Sequence, residues 1–308
     1  MKLLFLLWVL APAASAITPS KGEAWLRLNS HIEQSKIDRK GNFLAYVDKL
    51  GTSLRIANLV TKDIYLVSEE FVGSSFFWAP DNKRLIYTKT LGDAKNPKTD
   101  LFAFDLGNKT NIKIDSFEGQ SGTISFDPRD NKFFLMQKDS VISKKLEMPD
   151  SRLAKWQARI HGTNGRIVAT QNAITYVSQR GTKLEKLQDD GTGIESFDIS
   201  PDGSAVVWST QSGKIYSSSQ GKPSLFLDFG RDPKWHPFKD LIVYSGSHMI
   251  GNKASGYDIK VINLQGESTW LTNDSYLNQR WPVWVPGQGK VIYTKADTTD
   301  LYMLEFKK

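Results

Sequence analysis

Apolar and polar residues alternate in short, strand-length runs along the chain, and six segments share one arrangement. An apolar or aromatic residue stands two before a turn position, usually proline. A polar turn follows, and apolar residues return five and seven positions after the turn position. ISPDGSAVVW is the cleanest copy, with Ile199, Pro201, Val206 and Trp208. The others are Ile37, Arg39, Leu44, Tyr46; Trp78, Pro80, Leu85, Tyr87; Phe126, Pro128, Phe133, Leu135; Trp235, Pro237, Ile242, Tyr244; and Trp284, Pro286, Val291, Tyr293. Ile160, Gly162, Ile167 and Ala169 form a degenerate seventh copy. Proline presets the backbone for a tight turn, and Asp or Asn followed by Gly tolerates the bend beside it. Offsets of five and seven then put two side chains on one face of the returning strand.

Successive turn positions lie 34 to 49 residues apart, with a mean near 41. A period of that length built from short strands predicts a β-propeller, one four-stranded blade per repeat. Strands expected between the hairpins include Ser53–Leu59 and Asp63–Val67, Asp100–Leu106 and Asn111–Ile114, and Lys214–Ser218 and Ser224–Leu227. No segment keeps a helical apolar period for three turns. The expected fold is all-β, a seven-bladed β-propeller, with six blades as the alternative. The last repeat supplies three strands, and the apolar segment Ala24–Leu28 has no local partner. The economical arrangement has this N-terminal strand complete the last blade and close the ring, which removes exposed sheet edges.

The first residues read differently. Met1–Ala16 carries one Lys, an apolar run from Leu3 to Ala11, and small residues ending Ala14-Ser15-Ala16. That order is a secretory signal peptide, and the apolar run is far short of the about 20 residues that span a bilayer. The expectation is a signal peptide over 1–16, a single domain over 17–308, and an exported protein of the periplasm or extracellular space. The net charge of +7 comes from lysines spread without a stripe, which reads as a solvated surface and not as a nucleic-acid site. With no cysteine, disulfides, thiolate metal sites and a cysteine nucleophile are excluded.

The ISPDGSAVVW copy, together with FWAPDNKRLIY and VWVPGQGKVIY, resembles the repeat of the TolB-type propeller family, common in exported bacterial proteins. The resemblance covers residues 30–306, the propeller part alone. It implies a fold more than a function, because the same repeat is found in peptidases and lyases.

Catalytic signatures are few. Gly119-Gln120-Ser121-Gly122 lacks the spacing of a serine nucleophile elbow, and no phosphate loop or H-E-x-x-H is present. His161 and His236 precede turns on one rim, whereas His31 and His248 belong to the other, so no three-histidine metal site is expected. The pairs Glu69-Glu70 and Asp189-Asp190 point apart in extended chain. Asp81, Asp198 and Asp202 read as turn formers, and Trp78, Trp208, Trp235 and Trp284 as core. No cofactor, metal or catalytic residue is expected. Two long gaps follow second strands, at Thr90–Thr99 and Ser245–Gly256, as polar loops on one rim. Lys95, Lys98, His248 and Lys253 there are the candidate donors to an acidic partner. The reading is a non-enzymatic scaffold that binds a protein or envelope component. The alternative is a propeller-type polysaccharide lyase or hydrolase acting in the central channel.

Overall fold

The computed structural model describes residues 24–28, 30–48, 51–70, 72, 76–91, 97–119, 124–127, 132–137, 140–145, 165–169, 174–178, 184–186, 190–201, 204–219, 222–251, 253–273 and 278–305. All regular structure among them is antiparallel β-sheet. After β1 (Leu26–Arg27), the first repeat forms a meander of β2 (Ile32–Ile37), β3 (Phe43–Asp48), β4 (Leu54–Asn58) and β5 (Ile64–Ser68). The second forms β6 (Phe76–Trp78), β7 (Arg84–Leu91), β8 (Lys98–Asp105) and β9 (Thr110–Glu118). Three-stranded sheets follow: β10 (Ile124–Asp127), β11 (Lys132–Gln137) and β12 (Ser140–Lys145), then β13 (Gly165–Ala169), β14 (Ile174–Ser178) and β15 (Leu184–Lys186). The degenerate turn at Gly162 lies outside the described residues.

The next two repeats share one seven-stranded sheet: β16 (Ile194–Ile199), β17 (Ala205–Thr210), β18 (Lys214–Ser219), β19 (Leu225–Trp235), β20 (Leu241–Ile250), β21 (Lys253–Asn263) and β22 (Ser268–Trp270). They are joined because β19 serves both repeats. Its residues Leu225–Phe229 pair with β18, and Gly230–Trp235 pair with β20. Gly230 is the changeover point. A Cβ there would lie 2.5 Å from the Ser245 carbonyl oxygen and 2.7 Å from the Tyr244 ring. Backbone cannot step aside as a flexible side chain can, so Gly230→Ala is expected to destabilise by about 1–3 kcal/mol. Equilibrium urea denaturation checks this, and an unchanged midpoint would show that the two repeats are not held in this register.

The last sheet contains β23 (Gln279–Val285), β24 (Lys290–Lys295), β25 (Asp300–Glu305) and the distant β1. Leu26 pairs with Leu301 and Arg27 with Asp300, while Leu28 N–H donates to the Thr299 carbonyl at 2.8 Å. The pairing expected of Ala24–Leu28 is therefore present.

The core lies between neighbouring sheets, so successive residues of one strand serve two interfaces. On β3, Leu44 and Tyr46 join one cluster with Val285 and Leu301, whereas Ala45 and Val47 join another with Leu85 and Tyr87. The repeat's register is visible in these clusters. Ile37, Leu44 and Tyr46 share one, and Trp78, Leu85 and Tyr87 the next. Ile199, Val206 and Trp208 share a third, Trp235, Ile242 and Tyr244 a fourth, and Trp284, Val291 and Tyr293 a fifth. The tryptophans at the repeat's apolar positions are core, as expected.

The long gaps differ from the expectation. β20 continues through Ser245 to Ile250, and β21 begins at Lys253, so most of the segment read as a loop is an extended hairpin. β7 and β8 likewise reach Leu91 and Lys98, with residues 92–96 outside the described residues. Alternating polar residues on a strand exposed at its end do not distinguish it from a loop; the cross-strand partner does.

Candidate functional site

Two groups of charged side chains gather on the first strands of the repeats, at opposite ends of those strands. The first surrounds a cavity of about 570 Å³ beside the proline turns. Lys36 of β2, Asp198 of β16, Lys234 of β19 and Val283 of β23 each stand three residues before their repeat's turn position, and all four line it. One sequence offset, repeated on separate strands, thus converges on one space. Trp235, Phe238 and Trp284 supply apolar wall, and Phe238 is 72% exposed at the turn.

Asp198 is not a turn former. Its Oδ2 accepts from the Trp235 backbone N–H at 2.8 Å, and its carbonyl accepts from the Trp235 indole at 3.2 Å. Burial raises its carboxyl above the usual range, against the pull of Lys234, the Trp235 N–H and Lys36. Burial, with Lys234 adding repulsion, pushes the Lys36 ammonium down to about 8 despite Asp198. The Lys36 ammonium lies 5.5 Å from the centre of the Phe76 ring. Asp38, at the same end, is committed elsewhere: it accepts from the backbone of Lys40, Asn42 and Phe43. The lysines of this cavity depart from the solvated-surface reading. Their shared offset from the turn was the available signal.

The second group lies at the far end of the same strands, six residues before the turn positions. Glu195, Arg231 and Arg280 come from β16, β19 and β23. Arg231 pairs with Glu195 and donates from Nε to the Tyr257 hydroxyl at 2.9 Å. Arg280 holds buried Asp232 through Nε at 2.7 Å and Nη2 at 3.3 Å, and comes within 4.0 Å of Glu195. The Tyr257 ring lies 5.1 Å from the Arg280 guanidinium, which ties the extended hairpin to this cluster. Burial raises the Glu195 carboxyl; Arg231 opposes and Asp232 adds to the rise. A short motif underlies the arrangement, Arg-x-Pro-x-Trp at 231–235 and again at 280–284. In each, the residue after Arg has positive φ, Asp232 at 55° and Trp281 at 52°, where the strand bulges away from its partner. A bulge adds one residue and reverses the alternation beyond it. Positions three and six before the turn can then both meet β16, Lys234 near Asp198 and Arg231 at Glu195. The carboxylates and guanidiniums here are paired with one another, so this cluster braces the strands.

The candidate donors from sequence are dispersed. Lys98 and Lys253 open β8 and β21 and are exposed, and Lys95 lies outside the described residues. His248 faces its own sheet. Its Nε2 lies 2.8 Å from Oδ2 of the fully buried Asp258, and its ring stacks on Trp270 at 4.5 Å with planes 5° apart. Thr272 donates to the other oxygen of Asp258 at 2.9 Å. The hairpin tip also exposes Met249 and Ile250, the latter 74%. Of the other histidines, His236 accepts from the Phe238 N–H at 3.0 Å and packs edge-on against Trp284, a turn-bonded role. His161 lies outside the described residues.

Asp81 does form its turn, accepting from the N–H groups of Lys83 and Arg84, while Asp202 lies outside the described residues. Glu70 pairs with Lys89 at 3.1 Å. Burial works against ionised Asp190, but hydrogen bonds from Ser212, Thr192 and Thr210 outweigh it and hold the carboxyl at about 2. Asp189 lies outside the described residues.

No family model matches the chain, and no curated protein is similar to it in sequence. Solved structures are similar in fold. A chain of a mitotic checkpoint complex matches with TM-score 0.61 at 11% identity, covering 100% of both chains. The β-propeller domain of Cps50 (Swd1) from Myceliophteria thermophila matches with TM-score 0.58 at 12% identity, covering 92% of this chain and 98% of that one. TolB from Acinetobacter baumannii gives TM-score 0.49 at 16% identity over 87% of this chain and 64% of TolB. The fold is a β-propeller.

Proposed function

We propose that this chain is an exported, non-enzymatic propeller scaffold of seven blades, closed by β1 and TolB-like in its repeat, which binds a protein or envelope component. The seven turn positions and the β1–β25 pairing support the blade count and the closure. Export rests on the Met1–Ala16 pattern, and the TolB likeness on the repeat sequence. The observation carrying the binding role is the extended β20–β21 hairpin. It projects exposed Met249 and Ile250 beside Lys253, and Tyr257 anchors its base to Arg231 and Arg280. Exposed apolar residues beside a cation on a projecting hairpin suit an acidic protein surface. β7–β8 presents Leu91 and Lys98 in the same manner.

Cross-linking in the native envelope identifies the partner. Its capture by purified protein is then compared with capture by a variant carrying Lys95→Ala, Lys98→Ala, Lys253→Ala, Met249→Ser and Ile250→Ser. The variant is expected to keep its melting midpoint, since exposed substitutions typically change stability by less than about 0.5 kcal/mol, and to lose capture. Undiminished capture by a folded variant would place binding elsewhere. His248 is left out because it is a structural residue: His248→Ala strips a partner from buried Asp258 and is expected to cost about 1–3 kcal/mol by thermal denaturation.

Lys36, able to take up a proton near neutral pH beside Asp198, favours a second reading, a lyase or hydrolase of acidic polysaccharides working in the channel. Turnover of such a polysaccharide by purified protein would replace the scaffold reading with this one.

A further inference from the structure

From the convergence of two lysines on one aromatic-walled cavity, we infer that the channel mouth at the proline turns is a binding site for a carboxylate carried on a ring or other apolar body. This site lies at the opposite end of the first strands from the hairpin surface, and needs neither a protein partner nor turnover.

Charge selects the ligand's sign. Lys36 and Lys234 reach the cavity from the first and sixth repeats, and neither ammonium forms an ion pair with a described residue. The carboxylate beside them, Asp198, already accepts the Trp235 N–H, and Asp38 accepts three backbone donors of its own turn. Arg39 adds further positive charge to the lining. Three cations, Lys36, Arg39 and Lys234, thus line the cavity against two carboxylates, Asp38 and Asp198, with Asp198 attracting both lysines, and a carboxylate placed between the two ammonium groups would meet donors from both sides. Burial first, and the like charge of Lys234 second, already make Lys36 hold its proton weakly despite Asp198, so a bound counter-ion would relieve both ammonium groups.

Shape selects the rest. A cavity of about 570 Å³ falls within the range of about 300–1,000 Å³ that takes small organic ligands. Trp235, Trp284 and the exposed Phe238 form its apolar wall, with Pro201, Pro237 and Pro286 at the turns. The exposed Phe238 ring can cover a sugar ring or an aromatic side chain, with the edges of the buried Trp235 and Trp284 behind it, and leave one charged end for the lysines. Either a uronic sugar or a terminal amino acid offers that combination.

The test measures binding by tryptophan fluorescence, with calorimetry as confirmation. The probes are D-galacturonate and N-acetyl-L-phenylalanine, against neutral D-galactose and N-acetyl-L-phenylalanine amide. At least one acid is expected to bind, at least tenfold more tightly than its neutral counterpart, and which acid binds tells the sugar source from the peptide source. K36Q combined with K234Q, folded by its melting midpoint, is expected to weaken that binding at least tenfold. Should the variant fail to fold, the unmodified protein carries the test through pH. Lys36 loses its proton as pH rises through about 8, in a cavity it shares with Lys234, Arg39, Asp198 and Asp38. Affinity for the acid is therefore expected to fall roughly three- to tenfold between pH 7 and pH 9. Binding of neither acid, equal binding of neutral and acidic probes, or affinity indifferent both to the lysine substitutions and to pH would overturn the assignment.

Discussion

Deleting residues 17–29 is expected to destabilise the folded protein more than any single substitution. The segment contains β1, and its Leu26 and the following Leu28 are buried in the cluster that also holds Ile32, Leu44, Val285 and Leu301. Each buried leucine contributes roughly 1.5–3 kcal/mol on transfer from water. Trp25 and Leu28 also donate backbone hydrogen bonds to Leu301 and Thr299. Together these give a loss of about 3–6 kcal/mol, and β25 is left as an open edge that invites association. Equilibrium denaturation with sedimentation analysis would show a lowered midpoint and self-association. A full-length protein carrying Leu26→Ser and Leu28→Ser should lose most of the same stability, which separates the packing of these side chains from any effect of shortening the chain. If the truncated protein unfolds like the intact one, β1 does not hold the first and last repeats together.

Arg280→Ala is expected to have the next largest effect, about 3–5 kcal/mol, because it leaves one half of a buried ion pair in place. Asp232 has a side chain only 6% exposed and would retain just the Ser245 hydroxyl at 3.2 Å and the Trp281 N–H at 3.4 Å. The Arg280 guanidinium also lies 4.8 Å from the Trp281 ring centre, so truncation removes packing from two rings, Trp281 and Tyr257. Arg280→Lys keeps the charge but not the two-pronged bond, and should recover only part of the loss. The pH dependence has a definite sign. Glu195 already titrates above its usual range through burial, and Arg280 is one of the cations that restrain the rise. Without it the folded-state value climbs further, so ionised Glu195 costs more stability above that value and nothing below both the folded and unfolded ones. The deficit of Arg280→Ala relative to the unmodified protein should therefore be smaller at pH 5 than at pH 7. Equal deficits at both pH values would show that Glu195 and Arg280 are not coupled.

The rules that could be read along the chain are local. A proline turn with apolar residues two before and five and seven after depends only on backbone geometry and on alternation within one hairpin. Ile199, Val206 and Trp208 accordingly lie together in the structure, as do Trp235, Ile242 and Tyr244. The two hairpins that look like loops in the sequence depend on something that is not local. Met249 pairs with Ala254 and Ile250 with Lys253, and polar strands of this kind are held by their partner, with little apolar pattern to announce them.

The candidate sites needed contacts between repeats. Lys36, Asp198 and Lys234 share an offset from their turns, which the sequence displays; that they face one cavity depends on blades far apart in the chain being brought around a common axis. Asp198 carries a turn-forming residue type near a proline, yet its carboxylate is taken by Trp235 N–H from the next repeat. His248 looked like a loop donor until Asp258 and Trp270 were brought beside it by neighbouring strands. The chain alone determined an all-β repeat and its register, because turns and alternation act over about ten residues. Which charges meet and which are buried was decided by the tertiary structure, because electrostatic partners and burial belong to residues adjacent in space.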